Sequence, residues 1–174
     1  EDLDPELSED GRYIRDHVSD EGYRRLLAIA SLDGLVEASQ LSRVLGGASS
    51  EVQIMLMRIL WEEYGSGKLE RKHSTYFAAM LDGLGLDSQP EAYFDLVPWE
   101  VLANINHSFM VSEQKQKFLR YVGGLLYIEV SVPGSFINNK LAGERLGLSP
   151  DAISYWDLHI KEDIRHGKWM LDDV

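Results

Sequence analysis

No cysteine occurs in the 174 residues. That excludes disulfides, thiolate zinc sites, iron–sulfur clusters and any Cys nucleophile. Basic charge is scarce too: 17 Lys and Arg face 29 Asp and Glu, for a formal net charge of −12. Such a balance argues against a nucleic-acid or anionic-membrane partner. Long apolar runs are missing. The most apolar stretch, VGGLLYIEVSVPG (Val122 to Gly134), is too short and too interrupted to span a bilayer. No signal-peptide pattern is visible, and a cytoplasmic location is expected. Sustained strand alternation, internal repeats and low-complexity tracts are also absent. What is present is 44% hydrophobic residues and four Trp, the composition of a helical globule with a real core.

The negative charge is uneven. Residues 1–21 hold nine acids against Arg12 and Arg15, a net of −7. Residues 1–19 are therefore read as an acidic, solvated arm, and 20–174 as one helical-bundle domain of about seven helices. The first helix is expected over Asp20–Val44, capped by Ser19 and stopped by Gly46-Gly47. A second runs from near Ser50 to Tyr64, and a third from about Lys68 to Leu84. Pro90 and Pro98 divide the next region into two shorter helices, the second reaching His107. Another follows Ser112 and closes at Pro133-Gly134, and a short one covers Phe136–Leu146. The last opens with Ser149 and Pro150 and ends before Gly167.

That last helix carries the run HIKEDIRH, in which His159, Asp163 and His166 follow at steps of four and three. The spacing stacks three metal-capable side chains on one helical face, continuing a stripe from Ala152 and Trp156. Helical phase selects further candidates. Glu63 ends the stripe Val52, Leu56, Ile59, whereas Glu62 continues the more polar face of Glu51, Met55 and Arg58 and is read as solvated. Glu129 extends Phe118, Val122 and Leu125. Glu37 shares a stripe with Ala30, Gly34, Leu41 and Val44, and His73 leads one with Phe77, Met80 and Leu84. Four carboxylates and three imidazoles thus project from apolar faces, where an unpaired carboxylate costs several kcal/mol. Two divalent ions would neutralise Glu37, Glu63, Glu129 and Asp163, and mixed His and carboxylate ligation suits iron or manganese. His17 and His107 are read as surface or structural residues.

A ferritin-like parsing competes: Glu37, Glu70 with His73, Glu129, and Asp163 with His166. It replaces Glu63 by Glu70, leaves His159 idle, and needs a helix unbroken across YGSG. The seven-residue set is preferred, and the alternative stays open at this point.

With those residues in place, the chain resembles the haem-oxygenase-like di-iron oxidase and oxygenase superfamily over roughly Leu35 to Lys168. The resemblance rests on four spaced blocks: VEAS around Glu37, WEEYGSGKLERKHSTYF, LRYVGGLLYIEVSVPG and DLHIKEDIRHGK. Their order and spacing look most like the N-oxygenating branch. There, the resemblance implies, the residue matching Glu129 is an additional carboxylate ligand; members that cleave carbon chains generally manage without it. A thiaminase-like reading would lack its Cys, and a haem reading would have to use His17 and leave the seven residues unexplained. The implied protein is an all-α, haem-oxygenase-like bundle holding two Fe(II)/Fe(III) ions, with O2 as co-substrate and an external reductant. It would oxygenate an amine or guanidine nitrogen of an amino-acid-like small molecule, with a homodimer left open. The alternatives are a desaturase or carbon–carbon lyase on the same scaffold, and a non-catalytic iron-binding bundle. Ala30, Gly34, Tyr64, Asn106 and Trp156 are candidate pocket residues, although close helix packing is the preferred role of Ala30 and Gly34.

Overall fold

The computed structural model describes residues 8–46 and 50–174. Residues 1–7 of the expected arm and Gly47 of the expected stop signal lie outside them. The described chain is all-α, in eight helices: α1 Glu9–His17, α2 Asp20–Gly34, α3 Ser39–Val44, α4 Glu51–Glu63, α5 His73–Gly83, α6 Trp99–Ser112, α7 Phe118–Arg145 and α8 Pro150–Asp173. Four helices begin on a serine whose hydroxyl accepts from a backbone N–H three residues on: Ser8, Ser19, Ser50 and Ser149. None of the described helices is long and apolar enough to cross a membrane.

Five expected boundaries move. The helix expected over Asp20–Val44 is two helices, because the chain turns after Gly34 and Ala38 takes a left-handed φ of 62°. Glu37 therefore sits on a turn, not on a helical stripe. The helix expected from Lys68 starts only at His73, after two 3₁₀ turns. Between Pro90 and Pro98 there is only a 3₁₀ turn, Phe94–Leu96. In contrast, Pro133 does not end its helix: α7 runs through it to Arg145. Pro133 has no N–H to give the Glu129 carbonyl, and α8 packs against that spot. A Cβ on Gly167 would lie 3.3 Å from the Glu129 oxygen and 3.1 Å from a Val130 methyl. Gly167 is thus a close-packing glycine inside α8, not its stop.

The described end of the arm belongs to the bundle. Arg145 on α7 donates to the carbonyls of Arg15 and Val18, at 2.9 and 2.7 Å, which holds the C-terminal end of α1.

Apolar side chains gather in two clusters. One joins Tyr23, Leu27, Phe77, Met80, Leu81, Ile153 and Trp156; the other joins Leu41, Met55, Leu56, Ile59, Tyr121, Val122 and Met170. Along α8 the order is Ile153 and Trp156, then His159, Asp163 and His166, then Met170. Along α7, Glu129 likewise falls between Val122 and Ala142. The helices thus enclose a polar layer between two apolar ones.

Gly34 lets α2 pack tightly on α5: a Cβ there would stand 2.7 Å from the buried Phe77 ring. Overpacking of that kind costs about 1–3 kcal/mol, against a helix preference for alanine of up to about 1 kcal/mol. Gly34→Ala is expected to lose about 1–2 kcal/mol in urea denaturation. Unchanged or higher stability would contradict the close packing.

Candidate metal centre

The reversal between α4 and α5 builds half of the site. Gly65 has φ 64°, and a Cβ there would lie 2.5 Å from the Arg71 carbonyl carbon. Only glycine permits so tight a return. It brings His73, the first residue of α5, beside Glu63, the last of α4, with Nδ1 2.9 Å from Glu63 Oε2. Glu70, on the 3₁₀ turn between them, is exposed. The ferritin-like Glu-x-x-His pairing has no helix to form on.

Two groups of ligand-capable atoms share Glu63. Glu37, Glu63, His73 and His159 form one, and Glu63, Glu129 and His166 the other. His73 Nδ1 lies 3.1 Å from His159 Nε2, which is 3.5 Å from Glu37 Oε2. His166 Nδ1 faces Glu129 Oε2 at 3.3 Å and Glu63 Oε1 at 3.7 Å. Six of the seven expected residues therefore converge. Asp163 is buried one turn from His159 and lines the same cavity, but joins neither group.

Three buried atoms of this layer make no regular hydrogen bond: Glu37 Oε1, and the facing atoms Glu129 Oε2 and His166 Nδ1, which meet only as a 3.3 Å ion pair. Buried polar atoms are rarely left unpaired. Inward lone pairs on hard oxygen and imidazole nitrogen donors fit iron.

Charge in the metal-free protein follows from burial and proximity. Burial alone would lower His73, yet hydrogen bonds to Glu162 and Glu63 hold it up at about 11. Burial also works against the His159 and His166 cations, but Glu37 and Glu129 respectively raise them to about 9. Burial pushes Asp163 up to about 8, and also raises Glu37 and Glu129. Glu63 goes the other way: burial opposes its charge, but the His73 hydrogen bond and the three surrounding imidazoles lower it. Without metal, the layer is held together by protons on the imidazoles.

The outward atoms of the inner residues are also engaged. His166 Nε2 meets Glu62 at 2.9 Å, His73 Nε2 meets Glu162 at 3.2 Å, and His159 Nδ1 meets the Tyr155 carbonyl at 2.9 Å. The Tyr155 hydroxyl donates to Glu37 Oε2 at 2.8 Å. Glu62, expected to be solvated, is half-buried against a histidine. Helical phase alone could not show this, because the contact comes from α8.

A cavity of about 550 Å³ opens over the site, floored by Glu37, Glu63, Glu129, His159 and Asp163. Leu125, Ile128, Val132 and Phe136 of α7 give it an apolar wall, and Asn104, His107 and Ser108 of α6 a polar one. None of the five expected pocket residues lines it. Ala30 packs on the first apolar cluster, Gly34 meets Phe77, and Trp156 donates to the Tyr23 hydroxyl at 2.8 Å. Tyr64 lies outside under the Lys72 ammonium, and Asn106 is exposed on α6. His107, read as a surface or structural residue, is exposed and also lines the cavity. These positions depend on which helix lies opposite, which the sequence pattern does not carry.

Comparison with known proteins agrees with this chemistry. The family described as iron-containing redox enzyme matches residues 24–174, and the chain belongs to it. It is also 31% identical over 143 residues to a nitrosourea synthase of Streptomyces achromogenes subsp. streptozoticus, across 82% of this chain. The match spans 30% of that relative's length.

The proton-held layer has a pH signature. Folded-state values of about 9 for His159 and His166, against an ordinary 6.5, stabilise the metal-free fold fully below pH 6.5. That contribution is lost as pH rises towards 9. Asp163, raised from 3.8 to about 8, acts in the same direction at lower pH. The melting temperature of chelator-treated protein is expected to fall between pH 6.5 and 9; a flat or rising profile there would contradict the assignment.

Proposed function

We propose that this member of the iron-containing redox enzyme family is a non-haem di-iron oxygenase that N-oxygenates an amine or guanidine nitrogen of an amino-acid-like substrate. The observation that carries the reading is the pair of buried carboxylate–histidine groups, joined through Glu63, beneath a cavity open to a small molecule. Glu37, His73 and His159 would hold one iron and Glu129 and His166 the other, with Glu63 between them and Asp163 close by. A bound iron pair supplies O2 activation, drawing two electrons from an external reductant whose identity is open. For an amine the balance is RNH2 + O2 + 2e⁻ + 2H⁺ → RNHOH + H2O.

The chain's own residues set the conditions. The apolar wall from Leu125 to Phe136 keeps bulk water from the reacting nitrogen. The Tyr155 hydroxyl fixes Oε2 of Glu37 and leaves Oε1 to face inward. Among the described residues, Arg120 is the only Lys or Arg lining the cavity, and Asp33 also lines it. Arg120 would attract a substrate carboxylate into the cavity and Asp33 an ammonium group. Nitrogen as the oxygen acceptor draws support from Glu129, the extra carboxylate of the N-oxygenating branch. A nitrosourea, moreover, contains an N–O bond.

Product analysis tests the reaction class. Ferrous protein with reductant and 18O2, screened against amino acids bearing amine or guanidine side chains, is expected to yield a product with 18O on nitrogen by mass spectrometry. An alkene or a shortened carbon chain, with no label on nitrogen, would instead make this a desaturase or carbon–carbon lyase.

A further inference from the structure

The last two residues of α4 face different ways. Successive helical residues are turned by roughly 100°, so Glu63 enters the polar layer while Glu62 passes behind His166. Glu62 Oε2 stands 2.9 Å from His166 Nε2. On the neighbouring half-site, Glu162 Oε2 stands 3.2 Å from His73 Nε2. One side chain joins the two: Arg165 Nη2 is 2.5 Å from Glu62 and 3.4 Å from Glu162. Trp169 backs that guanidinium at 5.4 Å. Glu62, Glu162 and His166 are close enough to share a cation, and the Arg165 guanidinium already serves both carboxylates.

We infer that Glu62, Glu162 and Arg165 form one outer brace that fixes the rings of His166 and His73, turning Nδ1 of both towards the two iron positions. The inference rests on the two-iron reading above. A neutral imidazole carries its proton on one nitrogen and its lone pair on the other. A carboxylate behind Nε2 keeps the proton there and leaves the Nδ1 lone pair inward. His159 has the opposite arrangement: its Nδ1 faces the Tyr155 carbonyl, so Nε2 faces inward. The rings of His166 and His73 are 0% and 1% exposed, so in the intact protein a carboxylate, not bulk water, faces each Nε2. Because a single guanidinium contacts both, loosening it disturbs both half-sites at once. These three are positioning residues.

The test is anaerobic Fe(II) titration of the full chain, followed by near-infrared circular dichroism of the ferrous bands. Glu62→Ala and Glu162→Ala are each expected to weaken one of two binding steps by about 10–100-fold and to shift the corresponding bands. Glu62→Gln and Glu162→Gln, whose amide oxygen still accepts from Nε2–H, should recover most of the affinity. Arg165→Ala should weaken both steps. Two steps of wild-type affinity with unshifted bands in both alanine variants would overturn the brace, as would glutamine variants no better than alanine. Wild type saturating at one iron would instead overturn the two-iron reading, and with it a brace that serves two sites.

Discussion

Four carboxylates gathered in one layer of a helical bundle, Glu63, Glu129 and Asp163 buried and Glu37 half-buried, set the terms for the rest of this structure. Each would cost several kcal/mol if left charged and unpaired. Among the described residues, no Lys or Arg pairs with them: Arg165 stays behind the layer, among Glu62 and Glu162. In the metal-free chain the compensation comes from imidazole protons, which is why three histidines are held above their ordinary range. Metal ions at the same place would displace those protons. The two apolar clusters on either side of the layer supply the packing that keeps the ligands facing one another.

Backbone devices serve the same layer. Gly65 allows the turn that sets His73 on Glu63, and Gly167 lets α8 approach α7 at Glu129. Pro133 removes one helical donor at that point. Ala38, at a positive φ beside Glu37, marks a fourth irregularity next to a site residue. Strain concentrated around functional groups is expected where geometry matters more than local propensity.

Charge placed on an apolar face in helical register is a local signal, and the sequence carries it for most of the residues that meet in the layer. His159, Asp163 and His166 share one helix, and Glu63 and Glu129 each extend an apolar stripe. The sequence pattern puts Glu37 on a helical face, yet it lies on the turn between α2 and α3. It still reaches the site, because the turn carries it past Tyr155. The outer partners Glu62, Glu162 and Tyr155 were not legible, since their roles come from contacts between helices far apart in sequence. The same holds for the cavity wall. Small or aromatic residues near the ligands, such as Gly34 and Trp156, turned out to serve packing. Helix ends were misjudged where glycine and proline act in tertiary contacts rather than as stops, as at Pro133 and Gly167.

Glu63 is the residue on which the account depends most, being the one shared by both ligand groups. The direct test is anaerobic Fe(II) binding by Glu63→Ala, with Glu70→Ala as the control. The account predicts that Glu63→Ala loses tight binding at both positions, while Glu70→Ala, altered at an exposed turn, keeps two irons. Retention of two tightly bound irons by Glu63→Ala, or their loss in Glu70→Ala, would contradict a centre built around Glu63.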